Sequence, residues 1–328
     1  MKRRQFITLL GGAATWPLAA RARQGERVRR IGVLMGTAEN DRDQKASLSA
    51  LVNALAALDW KDGQNIRIEY RWAGGDAALL RTYAAEFAGL SLDVALAQGT
   101  PATVALRQAA PVTPIVFVSV ADPVRSGLVA SLARPGGNAT GFTNYETTIA
   151  GKWLATLIEV APGVKRVAVL VNPDNVGNEA LLGAMEAAAS KLRIRLILAF
   201  VRNAVEIERT IETFASQDGG GLLILADFVT LAHRELIVSL ALRHGLPTTF
   251  SERSFVGAGG LVSYGIDRAE LFRRSAAYID RILRGTKPAD LPVQQPTTFE
   301  LIINVRTAKA LGLTIPETFL IRADEVIE

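Results

Sequence analysis

Two histidines, His233 and His244, and no cysteine are all that this 328-residue chain offers for thiol or soft-metal chemistry. Without cysteine there is no disulfide, no thiolate metal ligand and no thiol nucleophile. His233-Arg234-Glu235 matches the H-x-E of a zinc deaminase, but that site also needs cysteine ligands downstream, and H-E-x-x-H is absent. No G-x-S-x-G elbow follows a strand, and neither G-x-x-x-x-G-K-[ST] nor G-x-G-x-x-G follows the first apolar run. Gly219-Gly220-Gly221 precedes an apolar run and reads as a turn. No catalytic residue, metal ligand or cofactor is assigned, so the pattern points to binding without turnover.

What the chain does have is short polar groups directly after apolar runs. They are Gly36 and Thr37, then Gln98 to Thr100, Ser119 to Asp122, Asn172 to Asn175, Asp227 and Phe228, Ser251 and Glu252, and Tyr264. In an open parallel sheet, ligands bind beyond the carboxyl ends of the strands, near the switch in strand order. The candidate binding residues are therefore Thr37, Gly99, Thr100, Asp122 and Asn144 from the first half, with Asn172, Asp174, Asp227, Glu252 and Tyr264 from the second. Hydroxyls, amides and carboxylates of this kind suit a small zwitterion or polyol. Asp227 stands where a carboxylate can hold an ammonium. Thr100 before Pro101 is a helix start, whose amides can receive a carboxylate. Asp122-Pro123 and Asn172-Pro173-Asp174-Asn175 are also ordinary turn and cap signals.

These positions depend on the strands that precede them. Val164-Lys165-Arg166-Val167-Ala168-Val169-Leu170-Val171 reads as a buried parallel strand, and Val28-Arg29-Arg30-Ile31-Gly32-Val33-Leu34-Met35 is an earlier copy, 136 positions before it (164 against 28). Pro114 to Phe117 answers Pro247 to Phe250, and Val94 to Ala97 answers Leu222 to Leu225, in the same order. Strands alternate with helical spacings over 43–58, 77–90, 100–109, 123–132, 177–192, 204–216 and 230–244, which predicts parallel sheets covered on both faces. The expected fold is α/β, with two doubly wound parallel-sheet lobes joined by a three-strand hinge. Lobe one takes 28–143 plus about 266–292, including a long helix from Asp267 to Arg284; lobe two takes 144–265 plus about 293–328.

Lys2-Arg3-Arg4-Gln5-Phe6-Ile7, a short apolar run and Ala20-Arg21-Ala22 read as an export signal of twin-arginine character, cleaved near Ala22, which places the mature chain in the periplasm. Residues 1–22 hold four bases (Lys2, Arg3, Arg4, Arg21) and no acid, so their removal lowers the formal charge from +5 to +1. A balanced surface without basic stripes argues against a nucleic-acid partner. Past the leader no apolar run reaches 18 residues, so nothing is expected to span a membrane.

Several stretches together carry a family resemblance: Arg30 to Leu34, Asn65 to Trp72, Pro114 to Val118, Ser131 to Asn138, Gly259 to Gly265, Ala289 to Pro296, and Phe299 to Asn304 continuing through Leu313. In these the chain resembles the substrate-binding proteins of ABC transporters, in particular the tryptophan/tyrosine-type components. The resemblance implies a periplasmic binding protein type 1 fold, with a small-molecule ligand such as an amino acid or aromatic acid closed between the lobes. It also implies delivery to an inner-membrane permease driven by a separate ATPase. On the lobe-two rim the chain departs from the family pattern, with Ala226 in place of a proline and Ser251-Glu252-Arg253-Ser254 in place of aromatics. A periplasmic ligand sensor, or a two-lobe enzyme such as a racemase, is the alternative on the same fold.

Overall fold

A computed structural model describes residues 27–328; the export signal read at 1–22 lies outside the described residues. Apolar runs with both faces covered form the first sheet: β1 (Arg29–Met35), β2 (Ile66–Trp72), β3 (Val94–Gln98), β4 (Ile115–Val120) and β5 (Ala139–Thr143). Ile31, Val33, Leu34 and Met35 of β1 are fully buried, as expected of a central parallel strand. Helices α1 (Arg42–Ala57), α2 (Ala77–Gly89) and α3 (Gly99–Ala109) connect them. Asp41 and Asp76 cap the first two by accepting from two backbone amides each. All neighbours are parallel, in the order β2-β1-β3-β4-β5.

Helix α4 (Ile149–Val160) leads into lobe two. There follow β6 (Arg166–Val171), a 3-10 turn, α5 (Glu179–Leu192), β7 (Arg195–Phe200), α6 (Ala204–Ala215) and β8 (Gly220–Ile224). Next come α7 (Phe228–Ala232), α8 (Arg234–Arg243), β9 (Thr248–Phe250), α9 (Arg253–Gly257) and β10 (Val262–Gly265). The sheet order β7-β6-β8-β9-β10 repeats that of lobe one, strand for strand, and β1 answers β6 as their shared sequence suggests.

Helix α10 (Arg268–Leu283) leaves lobe two and packs on α1, where Leu271, Phe272, Ala276 and Ile279 complete the core begun by Leu48, Leu51 and Leu55. The chain then returns to lobe two as β11 (Glu300–Asn304), α11 (Val305–Ala310), α12 (Glu317–Leu320) and β12 (Glu325–Ile327). β11 runs antiparallel to β10, so lobe two is not purely parallel: a strand entering from the hinge meets the sheet from the opposite end. The boundary expected near 292–293 also moves. The Val293 amide donates to Leu132, and Gln294 exchanges backbone bonds with Gly141 and Thr143, so both residues extend lobe one beside β5.

Two expected helices differ. Residues 123–132 form no helix; the amides of Leu128 and Val129 both bond Pro123, Gly127 takes φ +68, and Leu128 and Val129 fold into the core. The helix expected over 230–244 begins at Phe228 and breaks at His233, whose φ is −111. Among the described residues no helix is long and apolar enough to cross a membrane.

Candidate functional site

The carboxyl ends of the two sheets face each other across the hinge. On the lobe-one side, Gln98 ends β3 and is fixed by a buried chain: Thr37 Oγ1 donates to Gln98 Oε1 (3.2 Å), and Gln98 Nε2 donates to Gln44 Oε1 (2.6 Å). Helix α3 starts directly from Gln98, with Gly99 at φ +79 and no side-chain cap, so its first amides stay available at the cleft. Thr100 Oγ1 is turned inward and accepts from the Ala121 amide (3.2 Å), tying the loop after β4 to α3. Ser119, at the bulge between β4 and β5, takes φ +57, a costly conformation for a residue with a side chain.

On the lobe-two side Asp227 caps α7 in a reciprocal box. Its Oδ1 accepts from the amides of Val229 (2.8 Å) and Thr230 (3.2 Å), while its own amide donates to Thr230 Oγ1 (2.9 Å). Burial pushes its carboxyl up to about 6, against the hydrogen bonds from Thr230, Asn172 and Val229 that favour the charged form. From the hinge comes Arg268, at the start of α10, paired with the buried Glu252. Burial pulls the Arg268 guanidinium down from its ordinary range, and nearby Tyr145, Asp41 and Asp43 oppose that. Tyr145 is itself pushed up by burial, and its hydroxyl donates to Ser251 Oγ (3.1 Å).

Between the lobes these groups line a cavity of about 30 Å³, bordered by Gln98, Gly99, Thr100, Ser119, Asn144, Asn175, Asp227, Phe228 and Arg268. Four of the lining side chains aim a buried polar atom that has no hydrogen-bond partner among the described residues: Ser119 Oγ, Asn144 Oδ1, Asn175 Oδ1 and Arg268 Nη1. Buried polar atoms are normally paired, so a converging set from both lobes and the hinge marks a place prepared for a polar solute.

Of the residues expected at the site, Gly99, Thr100, Asn144 and Asp227 line this cavity. Thr37 and Glu252 stand one layer behind, orienting Gln98 and Arg268. Asn172 and Asp174 line an outer groove on the far side of Phe228, and Asp174 pairs there with Arg202 (3.2 Å). Asp122 lies outside this cavity: its Oδ1 accepts from the Arg125 amide (2.9 Å), and it borders a second groove between the lobes, shared with Gly177 and Leu181. Tyr264 lies outside it too: its ring stacks on Phe299 (5.6 Å between centroids) under Lys152. Arg268 and Tyr145 are additions, since both sit at hinge crossings and not at strand ends. The only trace of Arg268 in the sequence is its place after the capping Asp267.

The family model for ABC transporter substrate binding proteins matches residues 31–327. The chain belongs to this family. Within it, the chain is 28% identical over 262 residues to a tyrosine-binding protein of Clostridioides difficile, covering 80% of this chain and 75% of that one. An ABC domain from Streptococcus pneumonia in complex with L-Trp superposes with a TM-score of 0.85 at 27% identity, covering 91% of this chain and 99% of that one. The ligand-free, open structure of a Clostridium difficile substrate binding protein with adhesive properties gives 0.67 at 26% identity, covering 92% and 99%. The architecture of this chain is that of periplasmic binding protein type 1-like members: two α/β lobes around a cleft.

Proposed function

We propose that this chain is the solute-binding component of an ABC importer, exported to the periplasm, which captures one small amino-acid-like solute between its lobes and hands it unchanged to a membrane permease served by a separate ATPase. The observation that carries the reading is the convergence of Ser119, Asn144, Asn175 and Arg268, drawn from both lobes and the hinge, around one cavity between the lobes. Arg268 and the first amides of α3 suit a carboxylate, and Asn144, Asn175 and Asp227 offer oxygens to an ammonium. The family match and the amino acids named for the two relatives support the same class of solute. A solute bridging the lobes favours closure only by binding the closed state better than the open one, and the bridging set provides that difference. The outer-groove pair Asn172 and Asp174 would meet the solute on its way in.

The test is a thermal-shift screen of amino acids and small organic acids, because a ligand held by the native state alone raises the melting temperature. A hit whose effect disappears in Arg268→Ala supports the reading. No shift across a broad panel contradicts it.

A further inference from the structure

The cleft holds a feature that polar capture does not need. Phe228, the first residue of α7 in lobe two, pushes its ring into lobe one between Gly36 and Gly99. A Cβ on Gly36 would stand 1.9 Å from the ring Cζ, and one on Gly99 would stand 2.7 Å from the same atom. Gly99 has a backbone reason to be glycine, its φ of +79, but Gly36 does not take a positive φ. The absence of a side chain at Gly36 is accounted for by the ring it receives. Phe228 also borders both the inner cavity and the outer groove, as Thr100 and Pro101 do.

We propose that Phe228 sets the upper size of the solute: seated in the Gly36–Gly99 slot, its ring takes the place that an aromatic side chain of a ligand would need, and restricts the cleft to small, non-aromatic polar solutes. This rests on the solute-binding reading above and narrows its substrate class. The Phe228 ring forms part of the wall of the inner cavity, so removing the ring enlarges the space beside the polar groups. The polar atoms without partners lie around that inner cavity, so a solute must reach them past the ring or do without an aromatic group.

The experiment is calorimetric titration of L-tryptophan, L-tyrosine and L-alanine into the wild type, Phe228→Ala and Phe228→Asn, with thermal unfolding of each to check the fold. Phe228 is half-buried between the lobes and belongs to neither sheet, so both variants are expected to fold. The expected result is that Phe228→Ala and Phe228→Asn bind L-tryptophan or L-tyrosine at least about tenfold more tightly than the wild type does. Wild type binding either aromatic amino acid as tightly as the variants overturns the size assignment. So does a failure of both variants to gain either one. In those cases, 1:1 binding of any other solute by the wild type leaves the solute-binding reading standing, whereas no binding across a broad metabolite panel removes that reading as well.

Discussion

Asp227 shows how one residue serves structure and site at once. It caps α7 through two amides, yet burial holds its pKa at about 6, above the ordinary carboxylate value. A folded-state pKa raised above the unfolded one means that the native state binds more protons between about pH 4 and 6, so this group makes stability fall as pH rises through that window. A shift of that size is worth about 3 kcal/mol at most. Asp227→Asn, which keeps a capping oxygen, should flatten this slope; urea midpoints of both proteins measured from pH 4 to 7 will show it, and equal slopes would contradict the assignment. Ser119 tells the opposite story, with φ +57 and a hydroxyl that no neighbour uses. Ser119→Gly should leave the melting temperature equal or higher by the relief of about 1 kcal/mol of backbone strain, while weakening solute binding about tenfold in titration. Gly99, Thr100 and Asp227 were legible because strand ends in parallel sheets are marked by polar residues after apolar runs. Arg268 and Tyr145 were not, because what brings them to the cleft is the path of the chain through the hinge, and no local spacing encodes that.

At the scale of elements, two lobes of one design were readable from V-[KR]-R-[IV]-[AG]-V-L-[MV], and both lobes do share one strand order. The helix over 123–132 misled because its apolar spacing is satisfied by a turn: Leu128 and Val129 reach the core without a helix once Gly127 reverses the chain. The antiparallel β11 was equally hidden, since a buried strand reads the same in either direction. Helix α10 is the element that couples sequence order to hinge geometry. It begins beside the cleft at Arg268 and ends deep on α1, with Phe272 fully buried between them. Phe272→Ala should cost about 3–5 kcal/mol, read as a lower urea midpoint. Because α10 carries Arg268, the variant should weaken solute binding too, even at temperatures where it is folded.

In the proposed function the whole molecule works through the balance between its lobes. Among the described residues, besides the Phe228 ring and the Arg268–Glu252 pair at the hinge, two ion pairs cross the cleft: Arg234 of α8 with Asp41 at the start of α1, and Arg125 of lobe one with Glu179 of α5. The first is the better shielded, with side chains 23% and 10% exposed, so it should matter more than the solvated pair. Asp41 also caps α1, so Arg234 is the residue to change. Arg234→Ala should enlarge the radius of gyration in X-ray scattering and weaken solute binding about threefold or more, by lowering the share of closed molecules, with little change in melting temperature. Unchanged scattering would mean that the pair does not hold the lobes together.

The most direct trial of the account is a calorimetric titration of the mature protein with small amino acids and organic acids. Two lobes that clasp one molecule without altering it predict a saturable heat at one solute per chain, returning to baseline after each injection and vanishing in Arg268→Ala. Heat that continues after saturation would reveal turnover, and no saturable heat with any such solute would mean that the cleft is not a receptor for this class.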